Sequence, residues 1–250
     1  MKISILTPCF NSAGTIAHTI ESVLSQDHPD IEHIILDGAS RDATLEVVSR
    51  YQSDPRIRVY SKRDRGMYDA LNSGLGLYEG EAFGVLNADD TFHDRSAVSR
   101  IAAALAAADI VHGDLDFVTD HASKTVVRRW RMAERAAGGF RSGWMPAHPT
   151  FYVRRSVAER VGPFDLGLKT ASDYDYMLRA VELHGFTLTK AQGVLIDMMK
   201  GGASTSSLMA HVRHNLEALS ARRRWLGGGP VDRALVAKPL RKVGQLFAKG

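Results

Sequence analysis

Through the first hundred residues, short apolar runs alternate with amphipathic stretches. Ile3–Leu6 ends in Thr7-Pro8, and Ile31–Leu36 ends in Asp37-Gly38. Ile57–Tyr60 and Ala82–Leu86 repeat the pattern, the last running into Asn87-Ala88-Asp89-Asp90. Runs this short, bounded by turn residues, read as buried strands. Between them, Ile16, Ile20, Val23 and Leu24 share one face of a helix. Asp42–Tyr51 carries Leu45, Val47 and Val48, and Met67–Tyr78 turns Leu71 and Leu75 to one side. Ser96–Ala108 is an alanine-rich helix. Strand and helix alternate four times, which predicts βαβ units around a mainly parallel central sheet with helices on both faces. Ligands of such sheets gather at the carboxyl ends of the strands, where Thr7-Pro8, Asp37-Gly38 and Asn87–Asp90 are expected.

Beyond Ala108 the periods shorten. Ile110–Gly113, Leu115–Val118 and Lys124–Trp130 read as shorter, more antiparallel strands, and Arg135–Trp144, rich in Gly and Arg, as a mobile loop. Thr150–Val153 is a further strand, Asp173–His184 a helix and Phe186–Met198 an extended stretch. Leu208–Trp225 reads as a long, partly basic helix, followed by a hinge at Gly227-Gly228-Gly229-Pro230. Three units follow: a first half over 1–108, a second over 109–206, and a basic helical extension over 207–250.

Composition narrows the class. With 250 residues, 44% hydrophobic and 24% charged, the chain can bury a real core. The single cysteine, Cys9, excludes a disulfide within the chain. No apolar run approaches the roughly 18 residues of a membrane span, and MKISILTPCF reads as a strand rather than a secretory signal. The formal net charge of +4 is uneven: residues 207–250 carry nine Lys or Arg against two acids, a net +7, which leaves −3 for residues 1–206. A mildly acidic body argues against a nucleic-acid groove.

The polar clusters carry the candidate chemistry. Asp89-Asp90 after a buried strand can bind Mg²⁺ or Mn²⁺ together with substrate phosphates, can meet a ribose hydroxyl, or can form a solvated turn. Asp37 lies on the ligand-facing rim and can accept from a nucleobase or ribose, whereas Asp42 is placed to cap the next helix. Arg65 offers planar donors to a base carbonyl or phosphate, with Tyr68, Asp69 and Asn72 near one side of its helix. In Ser172-Asp173-Tyr174-Asp175, Asp173 is the candidate general base, and Asp175 suits an i, i+4 pair with Arg179. His148 is a candidate acceptor or phosphate contact.

Taken in order, these stretches resemble glycosyltransferase family 2, the inverting group with the GT-A fold. Thr7-Pro8-Cys9-Phe10-Asn11 is similar to that family's T-P-x-(Y/F)-N, and Asp37–Thr44 to its D-G-S-S-x-D-x-T. Asp64-Arg65-Gly66 with Ala70 and Asn72 is similar to (D/N)-x-G-x-x-x-A-x-N. Asn87–Asp90 resembles its acidic metal motif, and Ser172–Asp175 its E-D-x-D, with Ser172 where Glu is frequent. The match spans residues 3 to about 205, and the likeness is nearest the bacterial branch building capsule, exopolysaccharide or lipopolysaccharide.

The resemblance implies a Rossmann-like GT-A domain over 1–206, with a nucleotide-binding and an acceptor-binding half. It implies a divalent-metal-dependent hexosyl- or N-acetylhexosaminyltransferase using a nucleotide-diphosphate sugar, with UDP expected. Thr7, Pro8, Asn11, Asp37, Arg65 and Asp89 would bind nucleotide, Asp90 the metal, and Asp173 would be the base. The expected acceptor is a carbohydrate or lipid-linked saccharide, and the expected location cytoplasmic, at the inner face of the membrane if the tail docks there. Leu235, Val236, Leu240, Val243, Leu246 and Phe247, with basic residues between them, suit an acidic membrane surface, though Pro239 interrupts the spacing. Gly201–Thr205 is a candidate lid over donor or, equally, a plain linker to the long helix. Two competing readings are a nucleotidyltransferase, disfavoured because residues 7–15 hold no Lys or Arg, and a non-enzymatic membrane- or nucleic-acid-binding module driven by the tail.

Overall fold

The computed structural model describes residues 1–200 and 208–227. The first half holds Ile3–Cys9 (β1), Ile16–Leu24 (α1), Ile31–Asp37 (β2), Thr44–Ser49 (α2), Ile57–Ser61 (β3), Met67–Gly74 (α3) and Ala82–Val85 (β4). Then come Thr91–Phe92 (β5), Ala97–Leu105 (α4), Ile110–Val118 (β6), Val126–Trp130 (β7), Tyr152–Arg154 (β8), Arg155–Val161 (α5), Ser172–Leu178 (α6), Leu188–Met199 (β9) and Leu208–Leu226 (α7). Short 3₁₀ turns occupy Gly139–Ser142 and His148–Thr150, and α6 runs on as a π-helical turn over Arg179–Leu183.

Among the described residues the strands form one sheet ordered β3-β2-β1-β4-β8-β6-β9-β5, with β7 paired to β6. β3, β2, β1 and β4 are mutually parallel. β8 joins β4 and β6 antiparallel, and β9 runs parallel to β6. Every residue of β1 and β2 is buried, as two-sided helix cover demands. On one face Ile16 and Ile20 of α1 and Val48 of α2 pack with Ile35 and Ile57. On the other, Tyr68 and Leu71 of α3 and Tyr174, Met177 and Leu178 of α6 pack with Leu6, Ile34 and Leu36. Gly84 lets β8 approach β4: a Cβ there would stand 2.1 Å from the Tyr152 ring.

The second half departs from the sequence pattern. Ile110–Gly113 and Leu115–Val118 are one strand, β6, because Asp114 in its middle accepts the Met132 amide (2.7 Å) and pairs with Lys190 (2.8 Å). The expected loop Arg135–Trp144 contains a 3₁₀ turn and buries Phe140 and Trp144, while Arg135 pairs with Glu182 at 3.0 Å. α5 and β5 had no sequence counterpart. The strand expected at Thr150–Val153 begins two residues later, after the turn at His148–Thr150.

α7 packs on α6. Glu217 accepts the Thr170 and Ala171 amides (2.7 and 3.0 Å), Arg222 donates to the Tyr174 hydroxyl (2.8 Å), and Trp225 Nε1 donates to Asp175 (2.7 Å). The lid reading at Gly201–Thr205 and the tail pattern from Leu235 to Phe247 lie outside the described residues, as does the hinge beyond Gly227. No helix among the described residues is long and apolar enough to cross a membrane.

Candidate active site

The loops after β1 and β2 are laced together. Asn11, at φ +52°, accepts the Arg41 amide through Oδ1 (2.9 Å), and its own amide donates to Ser40 Oγ (2.9 Å). Asp42 accepts the Thr44 amide at the start of α2 (3.0 Å) and the Ala13 amide (3.1 Å). Thr7 is fully buried, with Oγ1 2.9 Å from His33 Nε2, so its hydroxyl is engaged between β1 and β2. Burial holds His33 down to about 3. Pro8 is buried beside Cys9, whose thiol is pushed up to about 12 by burial and the Asp37 charge. That thiol stays protonated and unreactive.

Asp37 ends β2, 1% exposed, accepting the Ser40 amide (3.2 Å) and the Ser61 hydroxyl (2.6 Å). It lines a cleft of about 370 Å³ with Tyr60, Lys62, Asp64, Ala70 and Ser73. That volume falls in the range of small-ligand sites. Arg65 is not brought to this cleft: its side chain is 76% exposed and pairs with Asp69 through Nε (3.1 Å) and Nη2 (3.0 Å). Lys62 is the cation the structure places there instead. No motif flagged it.

The loop after β4 gives the two acids different surroundings. Asp90 is 1% exposed, accepts the Met199 amide (3.1 Å) and Asn87 Nδ2 (3.1 Å), and its backbone carbonyl takes the Thr19 hydroxyl (2.9 Å). Burial, then the Asp89 charge, pushes its carboxyl well above the usual range. Asp89 is partly exposed, and its charge acts on both His148 and His121. Among the described residues no group of three or more His, Cys, Asp or Glu is arranged to hold an ion. A divalent cation fits this loop in one form, with a single outward carboxylate and the other ligands from substrate phosphates and water. The outward carboxylate is Asp89, whereas Asp90, on which the metal was expected, has both oxygens engaged inside the fold.

Asp173 sits in the first turn of α6 with its side chain 18% exposed. Tyr68 of α3 donates to Oδ1 at 3.1 Å, and His148 Nδ1 lies 3.5 Å from Oδ2. His148 Nε2 in turn lies 3.5 Å from Asn87 Nδ2. Asp173, His148, Asn87 and Tyr68 border a narrow crevice of about 30 Å³ walled by Phe83, Val85, Phe151 and Phe164. Burial and the Asp173 charge push the Tyr68 hydroxyl well up, so it stays a donor. Asp175 is buried and held by Arg179 (2.7 Å) and Trp225 (2.7 Å), a structural pair as its spacing implied. The arrangement can therefore hold a nucleoside near Asp37, a diphosphate near Asp89, and a hydroxyl against Asp173.

The family model described as Glycosyl transferase family 2 matches residues 4–162. A PGL/p-HBAD biosynthesis glycosyltransferase of Mycobacterium bovis is 26% identical over 186 residues, covering 70% of this chain and 68% of that one. The succinoglycan biosynthesis protein ExoO of Rhizobium meliloti is 36% identical over 119 residues, 47% of this chain and 34% of that protein. Among solved structures, S. aureus TarS 1–349 in complex with UDP-GlcNAc superposes with a TM-score of 0.72 at 19% identity, covering 100% of this chain and 74% of that one. Mannosyltransferase PcManGT from Pyrobaculum calidifontis, in complex with GDP-Man and Mn²⁺, gives 0.67 at 19% identity over 99% and 70%. At these identities the structural likeness speaks for the fold, which is that of the GT-A glycosyltransferases.

Proposed function

This chain belongs to glycosyl transferase family 2, and on that premise we propose that it moves a hexosyl or N-acetylhexosaminyl group from a nucleotide-diphosphate donor, a UDP-sugar, to an acceptor hydroxyl with inversion. The observation that carries the reading is the meeting of Asp173 with the Asn87–Asp90 loop through His148, with contacts of 3.5 Å on either side of the ring. A base and a diphosphate-binding loop must face one another across the anomeric carbon for a single displacement. Membership in the family sets aside the nucleotidyltransferase and the non-enzymatic module.

In this reading the Asp37 cleft, with Lys62 at its edge, receives the nucleoside. Asp89 would hold a divalent cation, which supplies Lewis-acid neutralisation of the departing diphosphate when bound. Asp173 takes the proton from the acceptor hydroxyl as its oxygen bonds to the anomeric carbon. The bond from that carbon to the phosphate oxygen breaks, and its electron pair leaves with the diphosphate. Thr7, Pro8 and Asn11 shape the cleft through the backbone loops they brace. Arg65 would reach the nucleotide only by leaving Asp69. The names of the Mycobacterium and Rhizobium relatives, PGL/p-HBAD biosynthesis glycosyltransferase and succinoglycan biosynthesis protein, support a role in polysaccharide or related glycoconjugate biosynthesis. A basic tail at a membrane carrying a lipid-linked acceptor agrees with that role.

The test is thermal shift with UDP, GDP, dTDP and their common sugars, with and without Mn²⁺. The expected outcome is a rise in melting temperature with UDP and one or more UDP-sugars, enlarged by metal. A folded protein that responds to none of them would sink the donor assignment.

A further inference from the structure

His148 reaches the site from the turn that precedes β8, outside the acidic motifs. Its ring stands between two groups, Nδ1 3.5 Å from Asp173 Oδ2 and Nε2 3.5 Å from Asn87 Nδ2. The same Asn87 Nδ2 donates to Asp90 Oδ2 at 3.1 Å. A ring nitrogen facing an N–H donor is the bare one. The proton of the neutral ring is therefore assigned to Nδ1, opposite the carboxylate. Asp173 from α6, Asp89 from the β4 loop and His214 from α7 are the titratable groups whose charge acts on this ring; burial, reinforced by His214, outweighs the two carboxylates and keeps it below the ordinary histidine range. Tyr68 meets the other Asp173 oxygen at 3.1 Å. The carboxylate is thus hydrogen-bonded at one oxygen by Tyr68 of α3 and faced at the other, 3.5 Å away, by the ring from the turn before β8, at the edge of a crevice whose other walls are apolar.

We propose that His148 is a positioning residue for Asp173, its Nδ1–H holding Oδ2 so that the carboxylate offers a remaining lone pair to the acceptor hydroxyl. The proposal rests on the reading of Asp173 as base. His148 keeps its own proton throughout, and the acceptor's proton goes to Asp173. Through Asn87 the same ring is tied to Asp90, so the base and the loop that would carry the diphosphate are set by one chain of contacts. That chain gives a physical reason for a histidine here, since it needs an acceptor on one side of a rigid ring and a donor on the other.

The experiment compares His148→Ala, His148→Asn, His148→Gln and Asp173→Asn in the full chain. Asparagine returns an amide N–H close to where Nδ1 stands, whereas glutamine carries it outward toward Nε2. One readout is diphosphate nucleotide released from the sugar nucleotide that the binding panel selects, with water as acceptor. The other is the ¹⁵N spectrum of the histidine rings, with His148 assigned by its loss in His148→Asn. The alanine and glutamine variants are expected to lose ~10²-fold in kcat with donor KM held within about twofold, and asparagine to recover most of the loss. The His148 signal is expected to be the Nδ1-protonated tautomer at neutral pH and to move in Asp173→Asn. Wild-type kcat in His148→Ala beside an inactive Asp173→Asn would overturn the proposal, as would a proton on Nε2. An equal fall in all three His148 variants with a matching rise in donor KM would make His148 a donor contact instead. Full activity in Asp173→Asn would remove the base reading itself.

Discussion

Asp89 and Asp90 are chain neighbours with opposite surroundings, and their substitutions separate. Asp89→Ala is expected to abolish the metal-dependent part of the donor-induced rise in melting temperature while leaving the unliganded protein unchanged. Asp90→Ala is expected to lower the unliganded melting temperature, because it leaves the Met199 amide and Asn87 Nδ2 without their acceptor, a loss of about 1–3 kcal/mol. Thermal shift with and without Mn²⁺ distinguishes them, and the reverse pattern would return the metal to Asp90. His33 gives a pH prediction. Its fully buried ring, held at about 3, titrates near 6.5 once unfolded. The unfolded chain therefore binds the extra proton between those values. Stability from this group is complete above pH ~6.5 and is lost as pH falls, by up to about 1.4 kcal/mol per unit. Melting temperature followed from pH 8 to 4 is expected to fall more steeply in the wild type than in His33→Gln.

At the scale of elements, α7 steadies the helix that carries Asp173. Glu217 accepts the two amides just before α6 and the Thr170 hydroxyl (2.9 Å), while Trp225 holds Asp175. Glu217→Ala is expected to cost about 1–3 kcal/mol, as charged hydrogen bonds do, and to lower turnover more than donor affinity. Chemical denaturation and donor titration check the two halves of that statement. An unchanged denaturation midpoint would mean that α7 contributes nothing to α6. The elements that were legible in the chain are those whose neighbours are local. β1 to β4 and the helices between them follow from apolar period alone. β6 reads as two runs in the sequence because His112, Asp114 and Asp116 interrupt its apolar residues, and their partners lie 15 or more residues on: the Glu134 carbonyl (2.8 Å), the Met132 amide (2.7 Å) and Arg131 (2.5 Å). α5 is seven residues long with only Val157, Ala158 and Val161 turned inward, too short for a period to stand out. The site divides in the same way. Asp37, Asp89 and Asp173 announce themselves at strand and helix ends, whereas Tyr68, 105 residues from Asp173, acquires its role only when α3 and α6 pack on the same sheet face.

At the scale of the whole molecule, charge is partitioned. Residues 1–206 carry −3, and residues 207–250 carry +7. Within the extension, the basic residues of α7 are partly committed to the fold: Arg222 donates to Tyr174 and Arg224 pairs with Asp165 at 2.8 Å. Residues 228–250 still hold five Lys or Arg against one acid, a net +4. α7 itself leaves Met209, Val212 and Leu216 exposed, at 73%, 47% and 61%, and these recur at the three- and four-residue spacing of one helix face. Basic charge next to an apolar stripe is the composition that binds anionic lipid surfaces, by Coulomb attraction of roughly 1 kcal/mol per basic residue near the surface and by apolar insertion. The catalytic body, being acidic, would be repelled from such a surface, so attraction must come from the C-terminal part. The chain is therefore expected to sediment with vesicles containing anionic phospholipid and not with neutral ones, and to be released as ionic strength rises. Removal of residues 228–250 is expected to weaken sedimentation while leaving the UDP-sugar thermal shift intact, because the Asp37 cleft proposed to receive the nucleoside is built from residues 36–77. Sedimentation that survives both the truncation and high salt would place lipid contact on the apolar face of α7 alone. If neither vesicle type carried the protein down, the acceptor would have to come to the enzyme from solution.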